Sequence, residues 1–140
     1  MSKNKTEVKV RLVITDFQCH PEEITRILGL QSSTTWMRGD PIPKTSMTRK
    51  QNGWRLDSPK PHEVLQKQID ALLVLVMGRV EAFERLPIGS EIELSCVIYV
   101  YDEDPALHFS DTSIRSLARL HASIDIDYYD LRETKKSTKS

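Results

Sequence analysis

The sequence predicts an α+β domain of two layers, a mostly antiparallel sheet with its helices packed on one face, in the order β-α-β-β-α-β-β-α-β. Three stretches carry that prediction. Residues 62–85 hold Leu65, Ile69, Leu72, Val76, Val80 and Phe83 at steps of three and four, one face of a 3.6-residue period. Val8, Val10, Leu12 and Ile14 alternate with Lys9, Arg11, Val13 and Thr15, the period of a half-buried strand. Ile92, Leu94, Cys96, Ile98 and Val100 alternate in the same way with Glu91, Glu93, Ser95, Val97 and Tyr99. Residues 8–130 are expected to form a single domain, with 1–7 a disordered N-terminal segment and 131–140 a polar tail.

The remaining elements follow from local chemistry. After the first strand, residues 19–30 suit a short helix. Pro21 fits the first helical position, Glu22 and Glu23 sit where the helix dipole favours acids, and Gly29 can close the C-terminus. Residues 31–58 lack a helical period. Two short strands are expected there, at 34–38 and 52–56, with Asn52-Gly53 as a turn signal. The Pro-containing polar loop 39–51 between them is of a length that is often functional or mobile. Pro61 and Pro87 bracket the long helical pattern, which as one helix would run about 36 Å. The outer face of the strand at 91–101 turns apolar at Val97, Tyr99 and Tyr101, so cover is expected partway along it. Residues 102–105 make a turn and 106–109 are expected to return as a short strand. Asp111 or Ser113 can cap a helix through Ile114, Leu117, Ala118 and Leu120, and 123–129 alternate as a last strand.

Composition narrows the function classes. At 140 residues, with 39% hydrophobic and 29% charged side chains, the chain suits one soluble globular domain. Its 20 basic and 20 acidic residues cancel, so no nucleic-acid or acidic-membrane partner is expected. The start, MSKNKTEVKV, has no apolar core of signal-peptide length, and the longest apolar run, 71–77, is far short of a membrane span. Cys19 and Cys96 stand alone, without a CxxC or Cys/His cluster. Two free thiols, a cytoplasmic location, no structural zinc and no cofactor are the expectations.

A set of segments resembles a known family. These are Pro-Glu-Glu-Ile-Thr-Arg-Ile-Leu-Gly-Leu at 21–30, Arg38-Gly39, and Trp-Arg-Leu-Asp-Ser at 54–58 before the long helix. The last is Leu-Ala-Arg-Leu-His-Ala-Ser-Ile-Asp-Ile-Asp-Tyr-Tyr at 117–129. Together they resemble the bacterial domain of unknown function 4279 family over roughly residues 8–130. The resemblance implies a small cytoplasmic α+β domain with no assigned activity, and no catalytic residue is carried over. One departure is His121, where the family pattern has Gly before Ala. It bears on the turn geometry there, because a non-glycine residue resists positive φ.

Four side chains are the candidate binding set: Trp36, Arg38, Trp54 and Arg55. Trp and Arg are enriched at binding hot spots, and Arg grips carboxylate or phosphate in a forked geometry. On an alternating strand Trp36 and Arg38 share a face, which allows a cation–π stack. The plainer reading is one tryptophan in the core with an arginine laid over it. Asp125 and Asp127 project from one face of the last strand, where a carboxylate pair can bind a divalent cation or share a proton, with His121 nearby. The plainer reading is a solvated acidic face with Ile124, Ile126 and Tyr128 turned to the core. Residues 32–35 and 44–50 carry phosphate-binding residue types but no Gly-rich cradle, so a solvated loop is expected. His20, His62 and His108 are unclustered, and there is no G-x-S-x-G elbow.

The middle of the long helix is apolar nearly all round. A helix packed only on a sheet keeps one polar face, so Val74, Leu75 or Met77 need cover from the third helix or from a second subunit. The function this supports is a non-catalytic binding module for a protein partner or a small anionic ligand at the Trp36/Arg38/Trp54 region, with homodimerisation through Val74, Leu75 and Met77 as one option. The alternative is a small metal-dependent hydrolase using Asp125 and Asp127.

Overall fold

The computed structural model describes residues 4–133; expectations for 1–3 and 134–140 lie outside the described residues. The elements are β1 (Glu7–Thr15), α1 (Pro21–Leu28), β2 (Thr34–Trp36), β3 (Gly53–Asp57), α2 (Leu65–Met77), β4 (Glu91–Val100), α3 (Asp111–Arg119) and β5 (Ala122–Asp130). A 3₁₀ helix, Val80–Arg85, lies between α2 and β4. One five-stranded sheet runs in the order β2-β3-β1-β4-β5. All pairs are antiparallel except β4–β5, whose two strands run parallel and are joined through α3. The domain is therefore α+β with a mostly antiparallel sheet, as the alternation predicts.

Alternation decides which face is which. Val10, Leu12 and Ile14 of β1, Trp54 and Leu56 of β3, and Ile92, Leu94 and Cys96 of β4 lie in one buried cluster with Ile24 and Leu28 of α1, Leu65, Ile69, Leu72 and Val76 of α2, and Leu117 of α3. All three helices thus cover one face. The other face, carrying the odd-numbered residues of β1 and β4, is packed by no helix among the described residues.

Local groups close the helix ends, and the N-cap of α3 is neither Asp111 nor Ser113. The His20 imidazole accepts the Glu22 N–H at 3.1 Å ahead of Pro21. Gly29 takes φ +66° and its N–H donates to Thr25 O. For α3 the cap is Ser110, one residue ahead of Asp111, with its hydroxyl accepting the Ser113 N–H at 3.1 Å.

Two expectations change. The single long helix is broken: α2 covers 13 residues, about 20 Å, then Gly78 ends it and Arg79 leaves helical geometry at φ −125°, ψ 21°. Glycine is the weakest helix former after proline, so the apolar period continues past a point where the backbone does not. Val80 and Phe83 still face the core, but from the 3₁₀ segment. Residues 106–109 form no strand: β1 and β5 occupy both edges of β4, so the segment does not return beside the strand it follows.

One device closes the sheet where β3 stops. Register pairing of β1 with β3 covers Arg11 to Thr15 only, which leaves the edge of β1 bare at Val8 and Val10. The buried Gln68 side chain of α2 fills that gap. Its Nε2 donates to Val8 O and to Glu63 O (2.8 Å), and its Oε1 accepts the Val10 N–H at 3.2 Å. Next to it, the Ser58 N–H donates to Val10 O at 2.9 Å. A side-chain amide has the same donor and acceptor pair as a peptide, so Gln68 acts as one more rung of the ladder.

Candidate functional site

The helix-free face of the sheet is a charged surface with ordered rows. Register places Thr34, Arg55, Val13, Glu93 and Ser123 across all five strands. The next row is Asp57, Arg11, Ser95 and Asp125, and then come Lys9, Val97 and Asp127. Bases thus gather on β1 and β3 and acids on β4 and β5. Arg11 Nε donates to Ser95 Oγ at 3.2 Å, and Arg55 pairs with Asp57 at 2.8 Å. Burial, and then the Arg55 charge, push the Arg11 guanidinium below its usual range. Burial raises Glu93, and Asp125, Asp127 and Glu91 add to it as like charges.

Aromatic side chains flank the rows. Tyr99 and Tyr129 stack with ring centres 5.4 Å apart, and Lys9 Nζ lies 5.5 Å from the Tyr99 ring. No element among the described residues covers this end, so the cover expected over Val97 does not come from a helix among them. Val97 is buried all the same, between Lys9 and Asp127 in register, where long neighbouring stems shield it.

At the other end lies Trp36. It pairs with Gly53 in register, and a methyl group built on Gly53 would collide with the indole ring, so the ring lies flat over that glycine. The opposite face of the ring is covered by the Arg49 guanidinium, 4.3 Å from its centre. Arg49 reaches it because loop 39–51 is a held arm. Pro41 and Thr48 bridge, Gly39 N–H donates to Arg49 O, and Arg49 N–H donates to Asp40 O. Asn52 anchors its base, accepting the Arg38 N–H at 2.8 Å and donating to Cys19 O at 2.9 Å.

The structure therefore separates the candidate binding residues. Trp36 and Arg55 share the open face, two residues apart in register. Trp54 points the other way, is fully buried, and donates its indole N–H to Thr25 Oγ1 at 2.9 Å. Arg38 is exposed just beyond β2 and is not the residue stacked on Trp36. The stacking partner, Arg49, is thirteen positions further along, and only the loop's return path brings it there. Ser33, from the polar stretch at 32–35, accepts the Asp57 N–H at 2.8 Å and so serves the sheet edge.

An open cleft of about 930 Å³ adjoins the basic half of this face, beside Gln68. Lys5, Lys9, Arg11, Arg55, Asp57 and Glu63 are among its walls. Across it, Thr6 donates its N–H (3.0 Å) and hydroxyl (2.8 Å) to Asp102, and those bonds hold that carboxyl down at about 2.

Asp125 and Asp127 lie on the open face of β5, and neither forms an ion pair among the described residues. His121 stands at the turn before the strand with φ 59°, a positive value for a non-glycine residue. At about 3.3 Å per strand residue it lies roughly 13 Å along the chain from Asp125. No group of three or more His, Cys, Asp or Glu side chains is placed to hold a metal ion among the described residues. The two thiols are free; Cys96 is buried in the core, and burial pushes it up to about 12.

On α2, Val74 is 77% exposed and Leu75 40%, whereas Met77 is half-buried against the core. The third helix thus leaves Val74 uncovered. No helix among the described residues is long and apolar enough to cross a membrane.

A family model described as Domain of unknown function (DUF4279) matches residues 6–131, nearly the whole chain. The chain belongs to the domain of unknown function 4279 family. No curated protein and no solved structure matches it. The DUF4279 match takes in every strand from β1 to β5, so both sheet faces belong to the family domain.

Proposed function

We propose that this domain is a non-catalytic binding module for a protein partner, and that it binds on the helix-free face between Trp36 and the Arg11/Arg55 cleft. One observation carries the reading: among the described residues the sheet has helices on one side only, while its other side presents a stacked tryptophan, two arginines and a cleft. An antiparallel sheet can leave one face to solvent, but such a face needs no tryptophan held flat between a glycine and an arginine. The bipolar charge pattern favours a protein over a nucleic acid, which would call for a continuous basic surface.

The metal-dependent reading through Asp125 and Asp127 draws less support, since no third ligand stands with them among the described residues. Self-association through Val74 and Leu75 is a separate element of the proposal. Light scattering at micromolar concentration decides it, a dimer giving twice the 16.1 kDa chain mass.

The test is capture of a partner from the source cell on immobilised protein, comparing wild type with Trp36→Ala, Arg38→Ala and Arg55→Ala. The reading expects a protein retained by wild type and lost, or weakened at least about tenfold, in the Trp36 and Arg55 variants with their folds intact. Equal retention by all four proteins would remove the open face from consideration.

A further inference from the structure

The outer edge of β5 is built to accept a strand. β5 is nine residues long and last in the sheet, and nothing among the described residues pairs with its outer side. The Leu131 N–H donates to Val100 O, so the odd-numbered residues direct their backbone groups to β4. Ile124, Ile126 and Tyr128 therefore direct their N–H and C=O groups outward. Their side chains lie on the helix side of the sheet, yet stay 42%, 42% and 43% exposed. The reason is length. α3 has nine residues, about 13 Å of helix, against about 30 Å for the nine residues of β5. On the opposite side stand Asp125 and Asp127. Near the C-terminal end Asp130 is paired with Arg132 at 2.6 Å, and Tyr128 OH donates to Asp104 at 2.8 Å.

We propose that this edge binds an extended segment of another protein in which apolar residues alternate with Lys or Arg, by adding it to the sheet as a sixth strand. The apolar row would continue the line of Ile124, Ile126 and Tyr128, and the basic row would meet Asp125 and Asp127. Charge also argues against full-length pairing of β5 with a second copy. Two-fold antiparallel pairing of β5 centred on Ile126 sets Asp125 against Asp127 of the other copy, twice. Centring it on Asp127 sets that residue against itself, and like charges directly opposite destabilise a strand pair. The proposal concerns the outer edge of β5, at the opposite side of the sheet from Trp36 on β2, and stands without a partner at Trp36.

The probe is a capped nine-residue peptide alternating valine or threonine with lysine, compared with the same peptide carrying glutamate for lysine. In an NMR titration the lysine peptide is expected to shift the amides of Ile124, Ile126 and Tyr128, and to bind at least about tenfold tighter than the glutamate peptide. Asp125→Lys with Asp127→Lys should reverse that preference. Ile126→Pro, which removes an outward N–H and spares the β4 ladder, should weaken binding at least about tenfold. If the proline variant does not fold, the charge-reversed protein decides alone. Equal affinity for the two peptides, shifts confined to other surfaces, or no binding at millimolar peptide would overturn the proposal. So would a dimer of the unliganded protein in sedimentation that Ile126→Pro abolishes and the lysine peptide cannot displace.

Discussion

Two tryptophans stand one register step apart near the same sheet edge and belong to different surfaces. Trp54 is fully buried on the helix side with its N–H satisfied by Thr25. Trp36 lies on the open side between Gly53 and Arg49. The first is held by the core on every side, and the second by one glycine and one loop arginine. Residue type is the same; the face of the pleat decides which ring lies in the core and which lies on the open face.

The largest expected effect breaks the core side. Trp54→Ala should cost about 3–5 kcal/mol and lower the melting temperature by roughly 10–20 °C, measured by thermal denaturation. Trp36→Ala should cost under about 1 kcal/mol in the same experiment. Comparable losses would mean that both rings serve the core. Gln68→Met keeps the volume but leaves Val8 O and the Val10 N–H without a partner. A loss of about 2–3 kcal/mol is expected in urea denaturation, with faster amide exchange at Val10.

Gly53→Ala sharpens the contrast without touching either tryptophan. Its methyl group displaces the Trp36 ring, so Trp36 fluorescence should shift to the red while Trp54 stays blue. The expected cost is about 1–2 kcal/mol.

The smallest effect lies among the acids of the open face. Glu93 has its folded pKa raised, first by burial and then by Asp125 and Asp127. The folded state therefore holds that proton more tightly than the unfolded chain. The destabilisation is fully present above the folded pKa and is relieved as pH falls towards the unfolded value. Glu93→Gln should then stabilise the protein at pH 7 by less than about 1 kcal/mol, solvent screening included, and the gain should vanish near pH 4. A gain that grows on acidification would contradict the assignment.

Much of the fold was legible in the sequence because it rests on short-range chemistry. Alternation at Val8–Val10–Leu12–Ile14 and at Ile92–Leu94–Cys96–Ile98 marks the two central strands, and the Pro21 and Gly29 signals mark α1. The break at Gly78 was less legible, since the hydrophobic period runs through it and one glycine costs a helix only about 1 kcal/mol. The pattern at 123–129 shows two faces but not how much of each is covered. Ile124 and Ile126 take the core side of a strand whose covering helix is too short, and that follows only from β5 being last in the sheet. In the candidate site, Trp36 and Arg55 could be singled out by type, but their separation from Trp54 follows from the β2–β3 register. Arg49 had no local signal, because its place over Trp36 depends on how a loop returns.

The central claim is that the open face is the binding face. Side-chain oxidation footprinting of the protein with its captured partner tests it most directly. Protection of Trp36, with Leu75 on α2 and Ile88 unchanged, is the predicted result. Protection confined to the helix side, with Trp36 oxidised as readily as in the free protein, would contradict it.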